Sequence, residues 1–158
     1  MIEIVKFSFD KYYNEKGEKY IGEMKNGLKD GKGILYYDKD DEYQRKKYKG
    51  DFKNDKMEGK GIIYWSNGDR YGGDFKNDKR EGKGIMIWNE GDRYEGDFKN
   101  GKREGKGIYY WNNGDRYEGD FKNDKREGKG IMYYKDGKKE EGNWINDELK
   151  KKRIFKFW

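Results

Sequence analysis

The chain has 158 residues, of which 44% are charged, 31% hydrophobic and 18% aromatic, with a formal net charge of +6. The absence of cysteine excludes disulfides and thiolate zinc sites, and the shortage of aliphatic residues, with no alanine at all, excludes a thick multilayered core. The charges alternate in sign rather than forming blocks, so the composition points neither to a disordered tail nor to a nucleic-acid patch.

In chain order, the opening MIEIVKFSFD carries no basic n-region and no small-residue cleavage site. No apolar run approaches the roughly 20 residues that span a bilayer. A soluble cytoplasmic protein is expected. Residues 1–19 read as a lead-in strand and cap. Tyr20 opens a phrase, YIGEMKNGLKDGKGILYY, that returns in stricter form at Tyr48, Tyr71, Tyr94 and Tyr117, the last four spaced by 23 residues. An insertion within DKDDEYQRKK separates the first copy from the second. Each strict copy reads Tyr-x-Gly-Asp-Phe-Lys-Asn, a polar stretch, then Glu-Gly-Lys-Gly-Ile. The copies occupy residues 20–139. Residues 140–158 hold an eroded sixth copy, with Glu140 where Tyr is due and Trp144 where Phe is due, and a basic-aromatic cap.

Within a copy the period is two. Tyr94, Gly96 and Phe98 share one face of a strand, and Glu95, Asp97 and Lys99 share the other. A second strand follows the polar stretch, so each copy predicts a β-hairpin. Closing the hairpin around Asn77-Asp78-Lys79-Arg80 predicts Lys76 opposite Glu81, Asp74 opposite Lys83 and Phe75 opposite Gly82, with equivalents in the other copies. A one-residue slip would spoil every such charge pair. Glycine costs about 0.5–1 kcal/mol in a strand, so the repeated Gly-x-Gly needs a structural cause. Aromatic rings lying across the glycines supply one.

Tyr-x-Gly-x-Phe, then Gly-x-Gly, then Asn-Gly-Asp, repeated in phase over residues 20–146, resembles the MORN repeat (membrane occupation and recognition nexus). The resemblance implies an all-β fold, a single-layer antiparallel hairpin solenoid, elongated and twisted. It implies a non-catalytic scaffold or binding module near membranes or the cytoskeleton, in some members dimeric. At roughly 4.8 Å per strand, six repeats span on the order of 55–60 Å.

No site chemistry competes with that reading. The GKG segments lack the Ser or Thr of a phosphate loop and open no helix. DKDDE, Asp38 to Glu42, has calcium-like spacing but lacks the glycine and later bidentate Glu of a known loop. No pair of carboxylates is set apart for acid–base work, so neither enzyme, cofactor nor metal is expected. The candidate partner groove is aromatic: Trp65, Tyr71, Phe75, Trp88, Tyr94, Phe98, Trp111, Tyr117, Phe121, Tyr134 and Trp144. It would take a helix or extended peptide of a protein partner, with a homodimer through an end strand or open face as a further option. An alternative is a peripheral membrane adaptor, with Lys150, Lys151, Lys152, Arg153 and Lys156 resting on anionic lipid. A third is a structural element of a cytoskeletal or ciliary assembly. Nucleic acid is not expected.

Overall fold

A computed structural model of the chain describes residues 7–13 and 17–150. The expectations for the far C-terminal tail, including Lys151, Lys152, Arg153 and Lys156, lie outside the described residues, as does the first part of the lead-in.

The described residues form one 13-stranded antiparallel sheet in strict sequence order, with no helix. Its strands are β1 (Phe7–Tyr13), β2 (Lys19–Lys25), β3 (Leu28–Tyr36), β4 (Arg45–Lys53), β5 (Lys56–Trp65), β6 (Arg70–Lys76), β7 (Lys79–Ile87), β8 (Arg93–Lys99), β9 (Lys102–Tyr110), β10 (Arg116–Lys122), β11 (Lys125–Tyr133), β12 (Lys139–Ile145) and β13 (Glu148–Lys150). The alternation of residue types sets the two faces, and the register aligns glycine with glycine from strand to strand. One unbroken row crosses the sheet: Gly22, Gly33, Gly50, Gly61, Gly73, Gly84, Gly96, Gly107, Gly119, Gly130 and Gly142.

The repeat tyrosines lie on that glycine seam. A Cβ built on Gly84 would sit 2.4 Å from Cε2 of Tyr71, and one on Gly73 would sit 2.6 Å from its hydroxyl. Tyr20, Tyr48, Tyr94 and Tyr117 cover their own glycine pairs in the same way. The repeat phenylalanines then pack edge-on against the tyrosines of two successive repeats. Tyr48–Phe75, Phe75–Tyr71 and Tyr71–Phe98 have centroids 5.1, 5.2 and 4.9 Å apart, near perpendicular. The ladder runs from Tyr20 through Phe52 to Tyr117, where Trp144 ends it at 5.2 Å. Edge-to-face geometry adds roughly 0.5–1.5 kcal/mol per pair beyond area burial. Tyr48, Tyr71, Tyr94 and Tyr117 have no exposed surface. Glycine lets the first ring lie flat, as the sequence predicts, and the next ring covers it.

The turn register differs from the sequence expectation. The turn is two residues, Asn77-Asp78, both at positive φ (47° and 66°), the conformation favoured between twisted strands. Lys76 therefore faces Lys79 and Phe75 faces Arg80, not Glu81 and Gly82. A bulge at Asp74 restores the expected pairing at Gly73–Gly84 and Tyr71–Met86. Gly82 absorbs it at φ 66°, a value that costs glycine nothing.

The bulge has its own hydrogen bonds. The Tyr71 hydroxyl donates to the carbonyl of Asp74 (3.0 Å), and the carboxylate of Asp74 accepts from the backbone N–H of Lys83 (3.1 Å). The other oxygen of Asp74 pairs with Lys60 of the preceding repeat (2.5 Å), as Asp97 pairs with Lys83 (2.6 Å) and Asp120 with Lys106 (2.5 Å). The Asp–Lys ion pairs thus join successive repeats instead of closing single hairpins. Glu81 likewise accepts from the N–H of Asn100 in the next turn (2.9 Å).

Candidate functional site

The structure divides the aromatic candidates into two sets. Tyr71, Phe75, Tyr94, Phe98, Tyr117, Phe121 and Trp144 form the ladder, each 0–4% exposed, and offer no surface to a partner. Trp65, Trp88, Trp111 and Tyr134 stay half-buried against the margin of that core. They sit where the second strand of each hairpin runs into the inter-repeat turn. There, the backbone N–H of Trp88 donates to the carbonyl of Asp92 (3.0 Å), and the Asp92 carboxylate accepts from the backbone N–H of Asn112 in the next turn (2.9 Å). Trp111 and Asp115 repeat the arrangement, Asp115 accepting from Lys135. The backbone that carries each of these tryptophans is thus held in a turn that is itself tied to its neighbour.

Cavities open beside the half-buried rings. One of about 460 Å³ lies at Trp65, bounded by Tyr43, Arg45, Met57, Ile63, Phe75, Asp78 and Arg80. Another of about 400 Å³ lies between Trp88 and Tyr109, edged by Asp69 and Asp92. A smaller one of about 200 Å³ lies at Trp111, with Arg103, Arg126, Asp124 and Asp147.

Arg103 and Arg126 bridge the ladder and this row, Arg80 covers the ladder alone, and sequence reasoning missed all three. Arg103 sits 5.2 Å from the ring of Tyr109 and 5.6 Å from Phe121, and Arg126 sits 4.4 Å from Trp144 and 5.6 Å from Trp111. Arg80 lies over Tyr71 and Phe98. Their signal was the Lys-Arg-Glu recurring after each turn, which reads as solvated charge until the two-residue turn puts Arg opposite Phe. Tyr109 was missed as well, because its slot holds Met86 and Met132 in the neighbouring repeats. There its hydroxyl donates to Asp92 (2.6 Å), and burial, with that carboxylate, raises its pKa.

Asp41, in the DKDDE loop, is engaged locally. It forms an ion pair with Arg45 (2.6 Å) and accepts from the N–H groups of Tyr43 and Arg45. Desolvation raises the pKa of Asp41, yet the hydrogen bonds from Arg45 bring it below the ordinary carboxylate value. Among the described residues no cluster of three or more carboxylates is arranged to hold a metal ion. Lys150 pairs with Glu148 (3.2 Å) in the last described strand. The face opposite the ladder stacks cations on tyrosines, as with Arg116 over Tyr133 (4.5 Å), and leaves Ile62 and Ile85 exposed.

Comparison with known proteins gives one clear result. The profile of the MORN repeat matches residues 20–42, 48–70, 71–93, 94–116 and 117–139. No curated protein matches the chain significantly. Among solved structures, the chain is similar to the TCP domain of SAS-4 (dCPAP) from Drosophila melanogaster, solved in complex with a proline-rich motif of Ana2 (dSTIL). The identity is 11%, over 90% of this chain and 92% of that one, with a TM-score of 0.46. A likeness at that level bears on neither fold nor function.

Proposed function

This chain belongs to the MORN-repeat family, and on that premise we propose that it is a non-catalytic scaffold that holds a partner peptide or helix along the row Trp65, Trp88, Trp111 and Tyr134. One observation carries the reading. Among the rings of the ladder face, these recur every 23 residues and stay half-buried, the three tryptophans beside open cavities, while the ladder rings are closed to solvent. Half-exposed, anchored tryptophans next to cavities are the usual energetic centres of protein interfaces.

The spacing favours particular partners. Successive anchors are two strands apart, on the order of 10 Å. A helix advances about 10.5 Å over seven residues, and a polyproline segment about 9.3 Å over three. Either presents one side chain per anchor. A flat β-strand repeats each face every ~6.6 Å and falls out of step.

Panning a displayed random-peptide library on the purified chain tests this. Peptides selected on the parent are expected to lose at least tenfold in affinity for the Trp88→Ala, Trp111→Ala variant, whose circular dichroism and melting cooperativity stay those of the parent. Equal affinity for parent and folded variant, or no peptide selected by the parent, contradicts the proposal.

A further inference from the structure

The cavity at Trp65 is where an ionic pattern of the repeat breaks. In four of the six two-residue turns the second residue is Asp, and three of these four pair with a cation of the preceding repeat. Lys29 pairs with Asp55 (3.3 Å), Arg103 with Asp124 (3.2 Å) and Arg126 with Asp147 (3.2 Å). The two turns between Asp55 and Asp124 depart from this pattern. Met57 stands where a cation would meet Asp78, and Gly101 stands where a carboxylate would meet Arg80. The carboxylate of Asp78 accepts only the backbone N–H of Met57 (2.8 Å), and no cation is within ion-pairing distance among the described residues. The guanidinium of Arg80 donates to the carbonyl of Gly101 and lies 3.8 Å from the sulfur of Met86. No carboxylate among the described residues forms an ion pair with it.

We propose that the Trp65 cavity takes an acidic side chain of the bound peptide, which supplies to Arg80 the carboxylate that Asp124 supplies to Arg103. This deepens the scaffold reading and rests on it. Three features support the assignment. The first is space: a Cβ built on Gly101 would find only an Arg80 nitrogen, at 4.0 Å. The second is charge: Arg45 is already neutralised by Asp41, which leaves Arg80 and Lys79 facing Asp78 alone. The third is shape: Met57, Ile63, Trp65 and Phe75 give an apolar floor beside the cation, suited to an aliphatic or aromatic neighbour of the acidic residue. A guanidinium fork binds carboxylate in bidentate fashion, and strongly where water is excluded. Burial depresses the pKa of Arg80, against the pull of the more distant Asp124, as befits a cation without a partner.

The repeat itself supplies the test. Asp occupies the equivalent turn position at φ 66–70° in Asp55, Asp78, Asp124 and Asp147, close to the 83° of Gly101, so Gly101→Asp restores the pattern without rebuilding the turn. Gly101→Asn is the neutral control, since Asn also tolerates this conformation. Peptides selected on the parent chain are resynthesised, with Gln in place of each acidic residue as a second probe, and titrated by fluorescence polarisation. The expected result is enrichment of Asp or Glu among the selected peptides. Affinity should fall about tenfold or more for the Gln peptide or the Gly101→Asp protein, the scale of a charge-assisted hydrogen bond, and stay within about twofold for Gly101→Asn. Undiminished binding by a folded Gly101→Asp chain, or equal affinity for the acidic and Gln peptides, overturns the assignment. If those peptides still depend on Trp88 and Trp111, the scaffold reading survives that failure; if the parent selects no peptide, both readings fall.

Discussion

Gly72 and Gly73 are adjacent in β6 and point to opposite faces of the sheet. A Cβ on Gly73 would press on the Tyr71 hydroxyl at 2.6 Å and the carbonyl oxygen of Lys83 at 2.5 Å, whereas one on Gly72 would meet only Ile62, at 3.6 Å. The same contrast separates the two faces everywhere. On the ladder face, glycine, tyrosine and phenylalanine interlock from repeat to repeat and exclude water. On the opposite face, Asp–Lys and cation–tyrosine contacts remain accessible: Lys83, paired to Asp97, keeps 71% of its side chain exposed. The comparison teaches that a sheet can make its second layer from its own side chains, provided one column of positions gives up its Cβ atoms. Ladder residues then hold the fold, and at the margin of the ladder Trp65, Trp88, Trp111 and Tyr134 stay half-buried.

The largest expected effect is loss of a ladder ring. Tyr94→Ala removes a fully buried ring that two phenylalanines abut. It is expected to cost on the order of 3–5 kcal/mol, measured by urea denaturation. Lys83→Gln, on the other face, is expected to cost less than about 1 kcal/mol. Comparable costs would erase the distinction between the faces.

Alkali probes the ladder without mutation. Burial, helped by neighbouring carboxylates such as Glu23 at Tyr20, pushes the phenols of Tyr20 and Tyr117 up to about 12. Tyr48, Tyr71 and Tyr94 are pushed up by burial too. Below the ordinary phenol value of about 10, both folded and unfolded chains keep these protons, and stability does not change with pH through them. Above it the unfolded chain releases protons that the folded chain retains. Stability therefore falls from about pH 10 upward, until the folded phenols ionise. Denaturation midpoints against pH, with tyrosinate absorbance, are expected to show this. Ionisation of all tyrosines near 10, with the fold intact, would contradict a sealed ladder.

Much of this was legible in the sequence. The alternation in Tyr94, Gly96 and Phe98 gave the faces, and the 23-residue return gave the hairpins. The turn register was not recovered from the charges, because the Asp–Lys pattern fits two arrangements. Asp74 is complementary to Lys83 in its own hairpin and to Lys60 in the one before, and only the second forms. The Asn-Asp and Asn-Gly dipeptides carry the signal for a two-residue turn, which the charge pairs alone do not supply. At the candidate site, the sequence sets Trp65, Trp88 and Trp111 apart as rings that reach further than the Tyr and Phe positions, but period two places all of them on one face and does not tell which are sealed. Tyr43 and Arg45 lie by the insertion, where the repeat offers no guide.

The most direct test of the central claim is the pair Gly73→Ala and Gly72→Ala, compared by thermal and chemical denaturation. The same methyl group is added at neighbouring positions of one strand. On this account Gly73→Ala lifts the Tyr71 ring off the seam and costs at least about 1–3 kcal/mol, while Gly72→Ala is neutral or stabilises by roughly 0.5–1 kcal/mol. Equal effects of the two substitutions, or a stable Gly73→Ala chain with its tyrosines still buried, would contradict it.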